Sequence, residues 1–377
     1  MKGFTIRVYP TKEQEILMRK HIGGQRYIYN WGLNLNNKLY EKEQKKYSAI
    51  ELGKMLTQYK KEVIWLNEVS NATLKEGLRN LDKAYNNFYK GRSKLPKFKS
   101  KKKSNDTFYS RYDKIKFYEN QTVNLEKIGK VKYKSSYDMD LTQITKLSNP
   151  NVAFNGRCWV LRFGIEIENN HIELTDKVLG IDLGIKQLAI VNEEGLDTHN
   201  INKTRIVKKL EKKLKKLQRQ CSRRYENNRE GVRYHKTKNI AKLELKINKL
   251  HRKLKNIRLN HMHQATSKMV KSKPKMIVME TLKISNMMKN RHLAKSIQQQ
   301  CFYKFIEQIK YKCEWNNIEF VQVPTFYPSS KMCSCCGSIK KDLKLSDRVY
   351  KCKCGFICDR DKNATYNLAN YGLEISL

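Results

Sequence analysis

Six cysteines lie close together near the end of this sequence, between Cys333 and Cys358. Four of them form two pairs that each end in Cys-Gly, a sequence that makes a tight turn with backbone amides facing the sulfurs. Four thiolates at such spacing are typical of a closed structural zinc site. The predicted Zn²⁺ ligands are Cys333, Cys336, Cys352 and Cys354. Cys335 and Cys358 stay open as alternatives, because a single residue separates the second pair. A basic hairpin is expected between the two knuckles.

The charge of the chain indicates the class of its partner. The sequence has 78 Lys+Arg against 36 Asp+Glu, a formal net charge of +42 over 377 residues. Such a chain repels itself when compact unless a polyanion neutralises it, so nucleic acid is the expected partner. A ribosome-associated or packaging protein would share this feature. No apolar run approaches the roughly 20 residues that span a bilayer, and the N-terminus lacks a signal-peptide core. We expect a cytoplasmic protein.

The first 90 residues predict a strand followed by a small helical domain. Phe4, Ile6 and Val8 alternate with polar residues, which is typical of a strand. TKEQ at residues 11–14 predicts a capping box, and Gly23-Gly24 is expected to end the helix that follows. Apolar residues at helical spacing predict a second helix around residues 28–39 and a third over residues 71–90.

A basic loop and a set of strands come next. Residues 90–103 lack periodicity and contain Pro96, so this loop either follows a phosphate backbone or is a solvated linker. Its candidate nucleic-acid contacts are Lys90, Arg92, Lys97 and Lys99. Residues 115–167 alternate with period two, most clearly at Trp159, Leu161, Phe163, Ile165 and Ile167. Together with the N-terminal strand they are expected to form one β-barrel.

The second half of the sequence alternates strands and helices. Residues 202–259 predict a helical hairpin with one apolar stripe on each arm and Lys and Arg on the other faces. Few Glu residues balance this charge, which favours nucleic-acid contact over a solvated face. The contacts expected on the first arm are Lys208, Lys212, Arg223 and Arg224. Strands over residues 178–191 and 275–282, a helix over 296–315 and a strand over 318–323 complete an α/β pattern.

Three acidic residues interrupt this α/β pattern. Asp182 lies inside an apolar strand, where an unpaired carboxylate is costly to bury unless it is protonated or bound to metal. Glu280 ends an apolar strand, and open α/β sheets bind ligands at the carboxyl ends of their strands. Asp361 opens a short helix, where by itself it would more often be an N-cap.

Phosphodiester hydrolysis explains the three carboxylates together. Two divalent cations about 3.5–4 Å apart need shared carboxylates to stabilise the attacking and leaving oxygens. Hard oxygen ligands suit Mg²⁺ or Mn²⁺. A ribonuclease-H-like architecture gathers such residues from its first strand, a later parallel strand and a terminal helix. The sequence therefore predicts Asp182, Glu280 and Asp361 as catalytic magnesium ligands.

His261-Met262-His263 has the form of the His-hydrophobe-His metal motif of single-strand transposases. That motif belongs on a strand, whereas these residues continue the helical pattern of Leu254 and Ile257. We therefore do not expect a metal site here, although either histidine could contact substrate.

Four motifs, taken in this order, resemble the TnpB family. They are GIDLG at residues 180–184, VMETL at 278–282, FYPSSKMCSCCG at 326–337 and DRDKNA at 359–364. Residues 4–35 and 89–92 are also similar to the family, so the resemblance covers essentially the whole chain. Two features depart from the family pattern: the short spacing of the second cysteine pair, and Thr365 in place of a common Ala. Neither changes a carboxylate.

The resemblance implies an α+β multidomain protein. Its parts would be a wedge β-barrel (residues 1–10 and 91–170), helical recognition domain (11–90), RuvC-like nuclease domain (171–330 and 359–377) and zinc ribbon that binds target nucleic acid (331–358). It implies an RNA-guided DNA endonuclease with two Mg²⁺ or Mn²⁺ ions. The guide RNA would come from the end of a mobile element, and the double-stranded DNA target would carry a short transposon-adjacent motif. Arg360 is expected to contact nucleic acid. The protein would be bacterial or archaeal and associated with the nucleoid.

Two other functions fit much of the same sequence. A compact type V CRISPR effector shares the chemistry and differs in the source of its guide. A nuclease-inactive DNA-binding repressor is the second, and the intact carboxylates argue against it.

Overall fold

The computed structural model describes residues 2–101, 106–135, 140–144, 146–166, 172–344 and 347–375. It divides into two units, Met1–Glu168 and Asn169–Leu377. The finer division into wedge, recognition, nuclease and zinc-ribbon parts stays a prediction. Two sequence predictions, for Ile167 and for Lys102-Lys103, lie outside the described residues. No helix in the described ranges is long and apolar enough to cross a membrane.

The first unit combines three α-helices with an antiparallel sheet. Its elements in chain order are β1 (Lys2–Tyr9), α1 (Lys12–Glu43), α2 (Ala49–Glu62), α3 (Asn71–Tyr89), β2 (Thr107–Tyr109), β3 (Lys116–Tyr118), β4 (Thr122–Leu125), β5 (Gly129–Lys134), β6 (Ser148–Phe154) and β7 (Trp159–Ile165). The three helices enclose one apolar core that includes Ile28, Leu33, Leu74 and Leu78.

Helix α1 begins where the sequence predicts and ends at Glu43, 19 residues beyond Gly24. Thr11 and Gln14 form the predicted capping box. The expectation that Gly23-Gly24 end the helix is wrong, because α1 continues through them to Glu43. Gly24 instead allows close packing, since an added Cβ would stand 3.0 Å from Val69. Helix α2, capped by Ser48, was not predicted.

The predicted pairing of the N-terminal strand with the later strands is confirmed. The sheet has the order β2-β6-β7-β1-β5-β4-β3, with β1 antiparallel to both β7 and β5. Strands β2 and β3 do not pair with each other among the described residues. The sheet nevertheless curls strongly, because Phe117 of β3 and Phe163 of β7 have ring centroids 5.6 Å apart. Four strand spacings in a flat sheet would separate them by roughly 19 Å. The expected barrel is thus a curled sheet around one core.

In its described residues, the second unit holds a five-stranded sheet, a long helical hairpin and two small two-stranded ribbons. Its elements in chain order are β8 (Thr175–Leu183), β9 (Gln187–Val191), β10 (Thr198–His199), α4 (Arg205–Glu226), β11 (Arg229–Glu230), β12 (Arg233–Tyr234), α5 (Lys238–Lys271), β13 (Pro274–Glu280), α6 (Ile284–Met287), α7 (Arg291–Gln300), α8 (Phe302–Trp315), β14 (Glu319–Val323), β15 (Val349–Lys351), β16 (Ile357–Asp359) and α9 (Arg360–Glu374).

Three strands of the main sheet run parallel and place their carboxyl ends side by side. The sheet order is β10-β9-β8-β13-β14, in which β8, β13 and β14 are parallel and β9 is antiparallel to β8. The predicted strand over residues 178–191 is therefore a hairpin of two strands. Helix α9 packs directly on this sheet. Gly180 of β8 and Gly372 of α9 allow this close packing, because a Cβ at either position would clash with the facing element.

Two helical predictions need changes of boundary. The predicted hairpin over residues 202–259 is confirmed as α4 and α5, and α5 extends to Lys271. Val207, Leu214 and Leu254 pack between the arms. The single helix predicted over residues 296–315 is two helices, because Cys301 adopts a left-handed conformation with φ 55° between α7 and α8.

Candidate active site and zinc ribbon

Asp182 lies near the carboxyl end of β8, next to the buried residues Leu179 and Ile181. Burial, followed by the charges of Glu280 and Asp361, raises the pKa of Asp182 to about 8, against a smaller opposing effect of Arg360. Like charges that share a desolvated site disfavour ionisation in this way. The carboxylate therefore needs a proton or a cation beside it.

Glu280 ends β13, the neighbouring parallel strand. The register pairs Met279 with Ile181, so the next residues along the two strands, Glu280 and Asp182, emerge at the same end of the sheet. The Glu280 carboxylate accepts a hydrogen bond from the Ser329 hydroxyl, which fixes its orientation. This arrangement follows from two apolar strands that each carry an acidic residue at or next to their carboxyl end.

Asp361 reaches the same region from the first turn of α9. The N-cap is Asp359, whose carboxylate accepts hydrogen bonds from the backbone N–H groups of Asp361 and Lys362 at 2.9 and 3.2 Å. The side chain of Asp361 is therefore not used as a cap. It lies 3.1 Å from the Arg360 guanidinium and 3.5 Å from that of Arg348.

Arg348 is a site residue that the sequence analysis missed. It directly precedes β15, and its neighbour Val349 pairs with Asp359, which brings it to the first turn of α9. Arg360 donates a backbone hydrogen bond to the Arg348 carbonyl at 2.8 Å. An arginine in a Lys-rich segment carries no pattern by which a sequence could single it out.

The four predicted cysteines lie together in space. The sulfurs of Cys333, Cys336, Cys352 and Cys354 are all within 4.8 Å of one another. Two sulfur pairs are separated by 3.7 Å (Cys333 to Cys354) and 3.6 Å (Cys336 to Cys352). Tetrahedral Zn²⁺ with bonds of about 2.3 Å requires sulfurs about 3.8 Å apart, so these residues fit the metal.

The Cys-Gly turns have the expected backbone conformation, and hydrogen bonds in this ribbon favour a thiolate at Cys352. Gly337 and Gly355 have φ of 72° and 89°, a conformation that side chains rarely adopt, as the Cys-Gly turns predict. The backbone N–H of Cys354, followed by the Ser338 hydroxyl, lowers the pKa of Cys352 to about 6. Cys335 and Cys358 lie outside the group of four among the described residues.

The ribbon differs from the prediction in the position of its hairpin. Among the described residues no strand pair lies between the two knuckles, and β15 pairs with β16 across the second knuckle instead. The ribbon is also tied to α9. Asn363 donates to the Met332 carbonyl at 2.7 Å, and its side-chain oxygen accepts from the Ser334 N–H at 3.1 Å.

The carboxylate oxygens are less tightly gathered than these sulfurs. In the described part of the chain, one group of three or more candidate metal ligands has all its donor atoms within 4.8 Å of one another, and this group is the four cysteines. Asp361 is turned towards its arginines and Glu280 towards Ser329. The oxygen-only donors and the mutual repulsion at Asp182 fit a hard divalent cation.

Most of the predicted nucleic-acid contacts lie on exposed surface. Those in the first unit are Lys90, Arg92 and Lys97, and those on α4 are Lys208, Lys212, Arg223 and Arg224. Lys99 is exposed as well, and its ammonium lies 3.7 Å from the centroid of the Tyr29 ring. Arg360 is half-buried against Asp361. These two side chains already have protein partners.

His261 and His263 lie on α5, as the helical pattern predicts. The His261 ring bonds the backbone carbonyl of His199 at 2.9 Å. They belong to no metal-ligand group among the described residues.

Three family models match separate parts of the chain. A helix-turn-helix domain model matches residues 1–45, the model described as "Probable transposase" matches residues 163–291, and a Cas12f1-like TNB domain model matches residues 302–368. The last of these covers both the first zinc knuckle and the start of α9. The matches follow the order of the motifs in the sequence.

Relatives and a solved structure match nearly the full length. A Streptomyces pristinaespiralis protein named "Putative RNA-guided DNA endonuclease" is 29% identical over 100% of this chain and 90% of its own length. The Escherichia coli K12 protein "Putative RNA-guided DNA endonuclease InsQ" is 29% identical over 99% and 92%. The fold resembles a protein in the cryo-EM structure of the Cas12f1-sgRNA-target DNA complex, with TM-score 0.59, 16% identity and coverage of 95% and 82%.

The matches to a transposase model, to a Cas12f1-like zinc-ribbon domain and to full-length relatives agree with the four motifs and with the geometry of carboxylates and cysteines. A mimivirus protein named "TnpB-like protein L79" also matches, at 34% identity over 26% of this chain and 19% of its own. Together these matches make the chain similar to the TnpB family.

Proposed function

We propose that this protein is an RNA-guided DNA endonuclease that cuts DNA beside a short transposon-adjacent motif by metal-dependent phosphodiester hydrolysis. One observation carries the catalytic part of the proposal. Asp182 and Glu280 lie at the same end of neighbouring parallel strands, and burial, together with the charges of Glu280 and Asp361, raises the pKa of Asp182 to about 8. Carboxylates brought together at such cost are typical of a site that binds cations.

The cations would be two Mg²⁺ or Mn²⁺ ions held by Asp182, Glu280 and Asp361. When bound, such ions supply the positive charge that in-line displacement needs at the attacking and leaving oxygens. Ser329 orients Glu280, while Arg348 and Arg360 hold Asp361 at the end of the sheet. The positive charges of the two arginines also favour binding of a substrate phosphate.

Guide RNA and target DNA are the proposed partners. The net charge of +42 and the exposed cations of α4 support binding along phosphate backbones, which reads shape and charge more than sequence. The guide would come from the end of a mobile element. We assign the recognition helices to residues 11–90, the wedge to residues 1–10 and 91–170, and target binding to the ribbon at 331–358. The protein would act in the cytoplasm, at the nucleoid.

Two alternatives make different predictions about the gene and the enzyme. A compact type V CRISPR effector would have a repeat array beside its gene. A nuclease-inactive repressor would bind DNA with its guide and leave it uncut in Mg²⁺. Sequencing the RNA that co-purifies with the protein identifies the guide source.

The catalytic proposal is tested with the protein–guide RNA complex and a labelled target duplex in Mg²⁺. Asp182→Ala, Glu280→Ala and Asp361→Ala should each lower the cleavage rate at least about 100-fold, the scale of losing one transition-state charge stabiliser. Binding of RNA should not change. Asp359→Asn is the matched control, because it removes a charge two residues from Asp361 and still caps α9. Normal cutting by Asp361→Ala, with loss in Asp359→Asn, would move the third ligand to Asp359.

A further inference from the structure

Phe326 is the most exposed aromatic side chain among the described residues, with 89% of its surface accessible. It lies in the segment that joins β14 to the first zinc knuckle. The Tyr327 N–H donates to the Pro324 carbonyl at 3.0 Å, so Phe326 occupies the third position of a turn. Asp, Asn and Gly are the usual residues of such turns, and a phenylalanine there exposes apolar surface without a local structural reason.

The segment that follows Phe326 is fixed to α9 by hydrogen bonds. Next to the ring, the Tyr327 hydroxyl donates to the Asn367 carbonyl at 3.1 Å. Further along, the buried amide of Asn367 donates to the carbonyls of Ser329 and Met332, both at 2.6 Å. The ring is therefore presented to solvent from a fixed base, and little conformational entropy is lost when a flat partner contacts it.

The ring lies at the end of the sheet that carries the carboxylates. Lys283, three residues after Glu280, places its ammonium 5.3 Å from the centroid of the Phe326 ring. Ser329, three residues after Phe326, contacts the Glu280 carboxylate. The Thr281 hydroxyl donates to the Val323 carbonyl at 2.6 Å and joins the two strands that lead to these residues. The flat ring and its cation thus flank the candidate active site.

An exposed aromatic face beside a cation suits one kind of occupant. An unpaired nucleobase stacks on the ring while the cation faces its phosphate, as in proteins that hold single strands. A paired base in a duplex has both faces covered by its neighbours and cannot stack in this way. An apolar protein partner would need a wider apolar surface than one ring bordered by lysine.

We propose that Phe326, together with Lys283, forms a stacking platform for an unpaired base of the DNA strand being cut, and so places the scissile phosphate at the carboxylates. The assignment rests on the proposed nuclease function. It makes Phe326 a positioning residue for the substrate, and it gives the platform a preference for a locally unpaired strand over an intact duplex.

The test compares stacking with cleavage in the protein–guide RNA complex. Phe326→Ala should lower the single-turnover cleavage rate about 10-fold or more, as expected when one base–aromatic stack is lost. Phe326→Trp should restore the rate and Phe326→Leu should not, since leucine keeps the apolar contact and lacks a flat π-face. Tyr303→Ala, at a site on α8 that is 64% exposed, is the matched control and should cut normally.

Substrates with a single abasic position, scanned across the cut site, identify the stacked base. At one abasic position, the cleavage rate of the wild-type protein should fall by the same factor by which Phe326→Ala lowers the rate on the intact strand. At that position Phe326→Ala should lose nothing more, because the ring and the base act through one contact. Additive losses at all positions, or rescue by Phe326→Leu, would overturn the proposal and favour apolar packing.

A binding measurement separates this inference from the nuclease proposal. Single-stranded DNA containing 2-aminopurine should lose fluorescence on binding wild-type protein and Glu280→Gln, and keep it with Phe326→Ala. This quenching requires no cleavage. If wild-type protein quenched and did not cut, the nuclease proposal would fail and the platform would stand. If wild-type protein cut and Phe326→Ala quenched the fluorescence as strongly as wild type, the stacking platform would be contradicted and the nuclease proposal would stand.

Discussion

Gly180 allows α9 to lie directly against β8, two residues before Asp182. An added Cβ would stand 2.0 Å from the Thr365 carbonyl oxygen and 2.8 Å from the Ala369 nitrogen, both backbone atoms that cannot give way without moving the helix. We therefore expect Gly180→Ala to lower the free energy of unfolding by about 1–3 kcal/mol, the usual cost of overpacking. Gly53→Ala is the matched control. No atom lies within 4 Å of the added Cβ in α2, so it should stabilise by roughly 0.5–1 kcal/mol.

Urea unfolding measures both glycine variants, and hydrogen exchange in β8 and α9 shows where the loss occurs. An unchanged midpoint for Gly180→Ala would mean that α9 does not pack here as described.

The sequence indicated the carboxylates at this scale because an acidic residue in an apolar strand is conspicuous, as at Asp182 and Glu280. It could not indicate Arg348, whose role depends on a strand pairing formed across the second knuckle.

The zinc ribbon connects a metal site to the candidate active site. Its core is Tyr350, which is fully buried and donates from its hydroxyl to the Lys331 carbonyl at 3.1 Å. Its loop carries Arg348 to Asp361. Cys352→Ser combined with Cys354→Ser should reduce zinc from about one ion per chain to none, because two of four thiolates are lost. Cleavage should fall as well, since Arg348 would lose its support.

Elemental analysis of the purified variants tests the zinc prediction. Cys335→Ser combined with Cys358→Ser is the control and should retain the ion, because these thiols lie outside the group of four. Zinc that survives in the first double variant would contradict the ligand assignment. Zinc that is lost in the second would restore the alternative ligands that the sequence left open.

Element boundaries depended on packing that sequence patterns do not contain. Thr11 and Gln14 predicted the start of α1 because a capping box is a local device. Gly23-Gly24 misled because glycine commonly ends helices, whereas Gly24 serves here to let Val69 approach closely. The break at Cys301 has no proline or glycine to announce it, so one long helix was the natural expectation.

At the scale of the whole molecule, the net charge predicts the kind of partner, and the residue pattern predicts the strands but not how they meet in space. The net charge of +42 predicted a polyanionic partner, and period-two alternation predicted strands. Neither could show that the first-unit sheet curls until β3 meets β7, because that contact joins residues 46 positions apart, Phe117 and Phe163. The alternating β and α pattern did predict the sheet that carries the carboxylates.

The same excess of charge bears on how the enzyme selects its target. Exposed Lys and Arg, spread here over loops and along α4, favour binding to phosphate backbones and cannot by themselves distinguish one sequence from another. Selection should therefore come from base pairing with a bound RNA, with direct protein contacts reserved for a short adjacent motif. Plasmid cleavage with two reprogrammed guides, each beside a randomised flank, measures both parts. Each guide should redirect cutting to its own target, and the flanks recovered with the two guides should share one motif. Equal cutting without RNA, or targets that do not change with the guide, would instead indicate a nuclease directed by its protein surface.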